Sequence, residues 1–169
     1  MKQAPSSFQA RLPPDAKLPA RLVVCERTGR WAAALRGVIG RLVGRGEGGT
    51  HFAHKLRVYE TRSLGECWAM LADSPASILV VELTPAALDP LLERMASMER
   101  EYPLARVAIV AERPLAPCEW LLREAGAVYF TTSPRALAPL ADLVRRHLDE
   151  APLPCLEMTE RIWATLPWK

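Results

Sequence analysis

The sequence predicts an α/β domain in which five strand–helix units build one parallel sheet with helices on both faces. Three observations carry this. Between Leu22 and Leu148, apolar or β-branched runs of strand length alternate five times with stretches of helical spacing. The run Ser77-Ile78-Leu79-Val80-Val81-Glu82-Leu83 is apolar on both faces, as a central strand of a parallel sheet must be. The connecting segments are short, so each helix must lie against the sheet and return the chain by a right-handed crossover.

Leu22-Val23-Val24-Cys25 reads as the first buried strand. Trp31, Leu35, Val38, Ile39 and Leu42 then recur at helical spacing, and the glycine-rich stretch Gly44 to Gly49 stops that helix. Leu56-Arg57-Val58-Tyr59 alternates as a second strand. Ser63 is placed to cap a helix with Leu64, Trp68 and Leu71 on one face, and Glu66 completes a capping box. After the third strand, Ser77 to Leu83, the segment Pro85 to Met98 turns Leu88, Leu91, Leu92, Met95 and Met98 inward. Arg106 to Ala111 is the fourth strand, and Cys118 to Ala125 a short helix ended by Gly126. Val128 to Thr131 is the fifth strand, and Leu137, Leu140, Val144 and Leu148 stripe the last helix. Five such units favour a flavodoxin-like (βα)5 three-layer sandwich with strand order 2-1-3-4-5, whose ligand site lies beyond the carboxyl ends of strands one and three.

The chain has 169 residues, half of them hydrophobic and about a quarter charged, which suits one soluble domain with tails. Residues 1–20 hold six prolines and serines and few large apolar side chains, and are expected to form a flexible arm. Residues 21–150 form the domain, and residues 151–169 a tail. No secretory h-region and no apolar run of membrane-spanning length occur, so a cytoplasmic protein is expected. Cys25, Cys67, Cys118 and Cys155 form no CxxC pair, and free thiols in a reducing compartment are the simplest expectation. The net charge of +3 divides unevenly, with 12 Lys/Arg against 4 Asp/Glu in residues 1–62 and 10 against 15 in the rest.

The strand ends carry a family resemblance. Leu22-Val23-Val24 and Ile78-Leu79-Val80-Val81 each precede an acidic position, and Gly126-Ala127, Phe130 and Ser133-Pro134 follow a Gly-Ala…aromatic…Lys-Pro pattern. Over Arg21 to Leu148 the chain resembles the receiver domain of bacterial response regulators. That resemblance implies an acidic pair for Mg²⁺ after strand one, a phosphoacceptor Asp ending strand three, a hydroxyl ending strand four and a lysine after strand five. Here those positions hold Cys25 and Glu26, then Glu82, Ala111 and Ser133. A thiol is a poor Mg²⁺ ligand. Glu82 is one methylene longer than Asp, and a displacement of about 1 Å can cost ~100-fold in a positioned reaction. Ala111 and Ser133 supply neither hydroxyl nor cation. Phe130 stands at the position of the family's switch aromatic. The expectation is therefore a phosphorylation-incompetent receiver-like module, not an enzyme, with no metal and no cofactor. It would act by protein–protein contact in bacterial signalling or regulation, and Glu82 would be either a fixed charge that holds the loops or a solvated carboxylate.

Two alternatives stand beside it: a small flavodoxin-like enzyme or nucleotide-binding protein, and a nucleic-acid-binding regulator using the basic N-terminal half. Against the first, Gly44 to Thr50 lacks the lysine of a phosphate loop and precedes a strand instead of a helix. Against the second, Arg21, Arg27, Arg30, Arg36, Arg41 and Arg45 surround one helix without a recognition motif. His51 and His54 have no cysteine near them to build a zinc site. In the tail, Met158, Ile162 and Leu166 recur every four residues beside Trp163. That stripe suits either packing on the domain or docking in a partner's groove. The partner is expected to be a protein, with homodimerisation through the last helix a further option, and neither nucleic acid nor membrane is expected.

Overall fold

The computed structural model describes residues 18–44 and 57–152. The proposed arm up to residue 17, the glycine-rich loop with Arg45, His51 and His54, and the tail with Cys155, Met158, Ile162, Trp163 and Leu166 lie outside the described residues.

Five parallel strands form a sheet of order 2-1-3-4-5, as the sequence predicts. They are β1 (Leu22–Cys25), β2 (Val58–Thr61), β3 (Ile78–Leu83), β4 (Arg106–Ala111) and β5 (Ala127–Thr131). The helices are α1 (Arg30–Gly44), α2 (Leu64–Asp73), α3 (Leu88–Glu101), α4 (Glu119–Glu124) and α5 (Ala138–Glu150). Because side chains alternate along each strand, the sheet serves two cores at once. Val23, Leu79, Val81, Val107 and Ile109 pack under α2, α3 and α4, while Leu22, Val24, Ile78, Val80, Ala108 and Val110 pack under α1 and α5. The last-helix stripe of Leu137, Leu140, Val144 and Leu148 is buried as predicted. No helix among the described residues is long and apolar enough to cross a membrane.

Several boundaries differ from the sequence reading, and three of the differences have a clear physical reason. β2 runs Val58–Thr61, two residues later than expected, because its register is set by pairing Val58 to Leu22 and Thr61 to Cys25. Its polar end, Glu60 and Thr61, lies beyond the alternating run Leu56 to Tyr59. Glu60 is paired with Arg36 and Arg62 on the edge of the sheet, and Thr61 is buried. The third helix starts at Leu88, after a 3-10 turn over Pro85–Ala87. The fourth is shortened to Glu119–Glu124 by a 3-10 segment, Arg113–Cys118, whose two prolines, Pro114 and Pro117, lack the N–H groups a longer α-helix would need. Gly126 follows it at φ +100°, a left-handed conformation that suits glycine.

At the start of α2, Ser63 Oγ accepts from Glu66 N at 3.2 Å, as the capping-box reading requires. The reciprocal bond differs by one residue: Glu66 accepts from Arg62 N, at 2.9 Å. This holds the chain entering α2 against the end of β2 and fixes Arg62 beside the carboxyl edge.

Candidate functional site at the carboxyl edge

Glu26 follows β1 directly and is only 2 % exposed. Its carboxylate accepts from Trp31 N at 2.8 Å and from Ala32 N at 2.6 Å. Those are the second and third residues of α1, whose amides an N-cap side chain would normally satisfy. Gly29, immediately before the helix, has no side chain to do so. Gly29 adopts φ +81°, its carbonyl accepts from Ala33 N at 3.0 Å, and the turn brings Glu26 back over the helix N-terminus. The negative charge also complements the helix dipole there. Sequence reasoning placed Glu26 at one of the degenerate acidic positions, and in the structure its carboxylate caps α1.

Glu82 lies on β3, and the alternation that sends Ile78 and Val80 toward α1 sends Glu82 the same way. Its carboxylate accepts from Arg27 N at 2.9 Å and from the Trp31 indole Nε1 at 3.2 Å. The side chain is therefore tied to the β1–α1 loop at both oxygens. Arg62 reaches the same place from β2, donating to the Glu26 carbonyl oxygen at 3.1 Å and to Glu60 at 3.3 Å. A small open cavity of about 160 Å³ lies here, lined by Cys25, Glu26, Arg62, Leu64, Glu82 and Thr84 among others.

The remaining predicted positions do not join it. Ala111 is fully buried in the core under α3 and α4, paired with Leu83 across the ladder. Ser133 shapes the turn after β5: its N–H donates to Thr131 Oγ1 at 3.2 Å, and its hydroxyl accepts from Arg135 N at 3.3 Å. Phe130 is 7 % exposed and packs in the same core as Ala111. A larger groove of about 600 Å³, lined by Met95, Met98, Tyr102, Arg106 and Val128, lies between the end of α3 and the starts of β4 and β5. It opens at the amino edge of the sheet, opposite this site.

Sequence reasoning missed Thr61, Arg62 and Cys67. Cys67, in α2, stands against Cys25, and the Thr61 hydroxyl adjoins both thiols. The hydrogen bond from Cys67 lowers the Cys25 pKa to about 7, against burial and the Glu66 and Glu82 carboxylates. Cys67 keeps its proton, held by that same bond and by burial. Their common signal was topological: in a parallel sheet, strand ends and the helix starts that follow them share one edge.

The chemistry of the donor set decides the metal question. A receiver's Mg²⁺ needs several free hard oxygens. Here one acidic position is a thiol, and the oxygens of Glu26 and Glu82 are engaged by backbone and indole N–H groups. Among the described residues no group of three His, Cys, Asp or Glu side chains is arranged to hold a metal ion. The residues present do not fit Mg²⁺.

No family model and no curated protein matches the chain. Solved structures do. A CheY-like protein, tadZ, from Pseudomonas aeruginosa PAO1 superposes with a TM-score of 0.54 at 19 % identity, covering 76 % of this chain and 98 % of that one. A response regulator from Thermotoga maritima gives 0.54 at 15 % identity, over 79 % and 100 %. An orphan response regulator of H. pylori gives 0.52 at 15 % identity, over 76 % and 96 %. At these identities the likeness concerns architecture, and with the observed strand order it establishes that the chain has the CheY-like receiver fold.

Proposed function

We propose that this domain is a degenerate receiver that serves signalling or regulation by binding a protein, without a phosphoryl group or a metal. The supporting observation is the state of its two carboxylates: Glu26 caps α1, and Glu82 holds the β1–α1 loop through Arg27 N and Trp31 Nε1. In a phosphorylated receiver the carboxyl-edge loops are organised by an added phosphate and a cation. Here the Glu82 carboxylate and the Arg62 guanidinium stand at the rim of the same cavity. The arrangement is in place without any reaction.

A binding role also accounts for α4. Trp120 is 72 % exposed and Leu121 40 % exposed on neighbouring positions of a short helix. Tryptophan is the residue most enriched at the energetic centres of protein interfaces.

The test is incubation of the full chain with acetyl phosphate and Mg²⁺, read by intact mass, alongside beryllofluoride and Mg²⁺, read by amide NMR shifts around Glu82. No covalent adduct and no shift of the Arg27 and Trp31 amides is the expected result. Stoichiometric labelling at Glu82, or saturable shifts at those amides, would overturn the proposal.

A further inference from the structure

Cys25 and Cys67 are distant in sequence and adjacent in space. β1 ends at Cys25, and Cys67 lies in the first turns of α2, so the parallel topology brings both to the carboxyl edge. Both belong to the core between the sheet and α2, near enough for each thiol to perturb the other's titration. Thr61, opposite Cys25 on the β1–β2 ladder, has a buried hydroxyl with no partner of ordinary hydrogen-bond geometry among the described residues, and it adjoins both sulfurs. Cys25, 6 % exposed, also lines the edge cavity, which gives a small solute a path to its sulfur. Cys67 is fully enclosed.

We propose that Cys25 and Cys67 form a redox site, a dithiol that a hydroperoxide oxidises to a disulfide joining β1 to α2. Cys25 is the attacking sulfur, since it faces the cavity and its pKa of about 7 makes it substantially thiolate at neutral pH. It attacks the terminal oxygen of the hydroperoxide, the O–O bond breaks, and the departing oxygen takes up a proton to leave as water or an alcohol. Cys25 is now a sulfenic acid. The Cys67 sulfur attacks it, the S–O bond breaks, and the hydroxide leaves as water with the Cys67 proton. Two thiols and one hydroperoxide thus give one disulfide, one water, and one further water or alcohol. The new bond fastens the start of α2 to the end of β1, and Arg62 and Ser63 of the cavity rim are carried with it.

The experiment uses the full reduced chain exposed to a small excess of hydrogen peroxide, blocked with N-ethylmaleimide and mapped by non-reducing peptide mass spectrometry. Two of the four cysteines should escape alkylation, in a single Cys25–Cys67 cross-linked peptide that dithiothreitol reverses. Cys67→Ser, whose hydroxyl keeps a hydrogen-bond donor for Cys25, should stop the reaction at a Cys25 sulfenic acid that dimedone traps. Cys25→Ser should leave Cys67 unoxidised. A disulfide through Cys118 or Cys155 in place of this pair, or a Cys25 that survives peroxide concentrations that oxidise the methionines, overturns the proposal. Either result leaves the phosphoryl-transfer test unaffected, so the two readings fail separately.

Discussion

Glu26 shows how a residue's place can be read from sequence while its role waits for the structure. Its position after a buried strand marks an acidic edge residue, and composition cannot tell a metal ligand from a helix cap. What decides is Gly29: with no side chain at the helix boundary, the amides of Trp31 and Ala32 need an acceptor from elsewhere, and Glu26 provides both oxygens. Glu26→Ala removes that acceptor and leaves two buried N–H groups without a partner, so it should destabilise the domain by about 2 kcal/mol, combining cap loss with desolvation. Glu26→Gln retains one carbonyl acceptor and should cost about half as much. Urea unfolding of the two variants measures this. Equal stability of Glu26→Ala and the parent chain would return Glu26 to the pool of free edge carboxylates.

At the scale of elements, most strands and helices were legible because they bury a patterned apolar face, and that pattern survives in sequence. Leu137, Leu140, Val144 and Leu148 announce α5 without help from any other part of the chain. The edge strand β2 was less legible, since Glu60 and Thr61 are polar and are kept in the strand by pairing with β1 and by Arg36 and Arg62. The contact of Cys67 with Cys25 was illegible for the same reason: it exists only once α2 is laid on the sheet. His147 near the end of α5 is a further tertiary case. Its Nε2 lies 2.7 Å from the carbonyl of Ala76, just before β3, a contact that no local pattern around His147 announces. Burial lowers its pKa below the ordinary 6.5, with Arg106 adding to the shift and the Ala76 carbonyl and Glu150 opposing it. Between the folded value and 6.5 the folded state therefore binds fewer protons than the unfolded one, and stability falls as pH drops through that window. His147→Gln keeps a donor for Ala76 but no titration. Between about pH 7 and 5, where histidine changes charge, the melting temperature of the parent should fall more steeply than that of the variant. Parallel curves would show that His147 titrates alike in both states.

For the molecule as a whole, the sheet binds the two cores into one unit. Leu22 and Val24 face α1 and α5 while Val23 and Cys25, in the same four-residue strand, face α2. β3 and β4 divide their residues in the same way, so neither face can lose its packing while the strands remain paired for the other. The site depends on this directly: Glu26 and Glu82 act on the α1 side of the sheet, and Cys25 and Cys67 on the α2 side, all at the end of β1 and β3. Damage to one face should therefore be felt on the other. Leu140→Ala removes a fully buried side chain of α5 and should cost about 2–5 kcal/mol, the range for a leucine cavity. Methyl NMR signals of Leu91, in α3, and of Val144, in α5, follow the two faces separately through a urea titration. In both parent and variant the two signals should lose intensity at one shared midpoint, which Leu140→Ala moves to lower urea, as an all-or-none transition requires. If the Val144 signal moved alone while Leu91 kept its parental midpoint, the two faces would be separate folding units, and the edge that joins their carboxylates and thiols would not be held by the sheet.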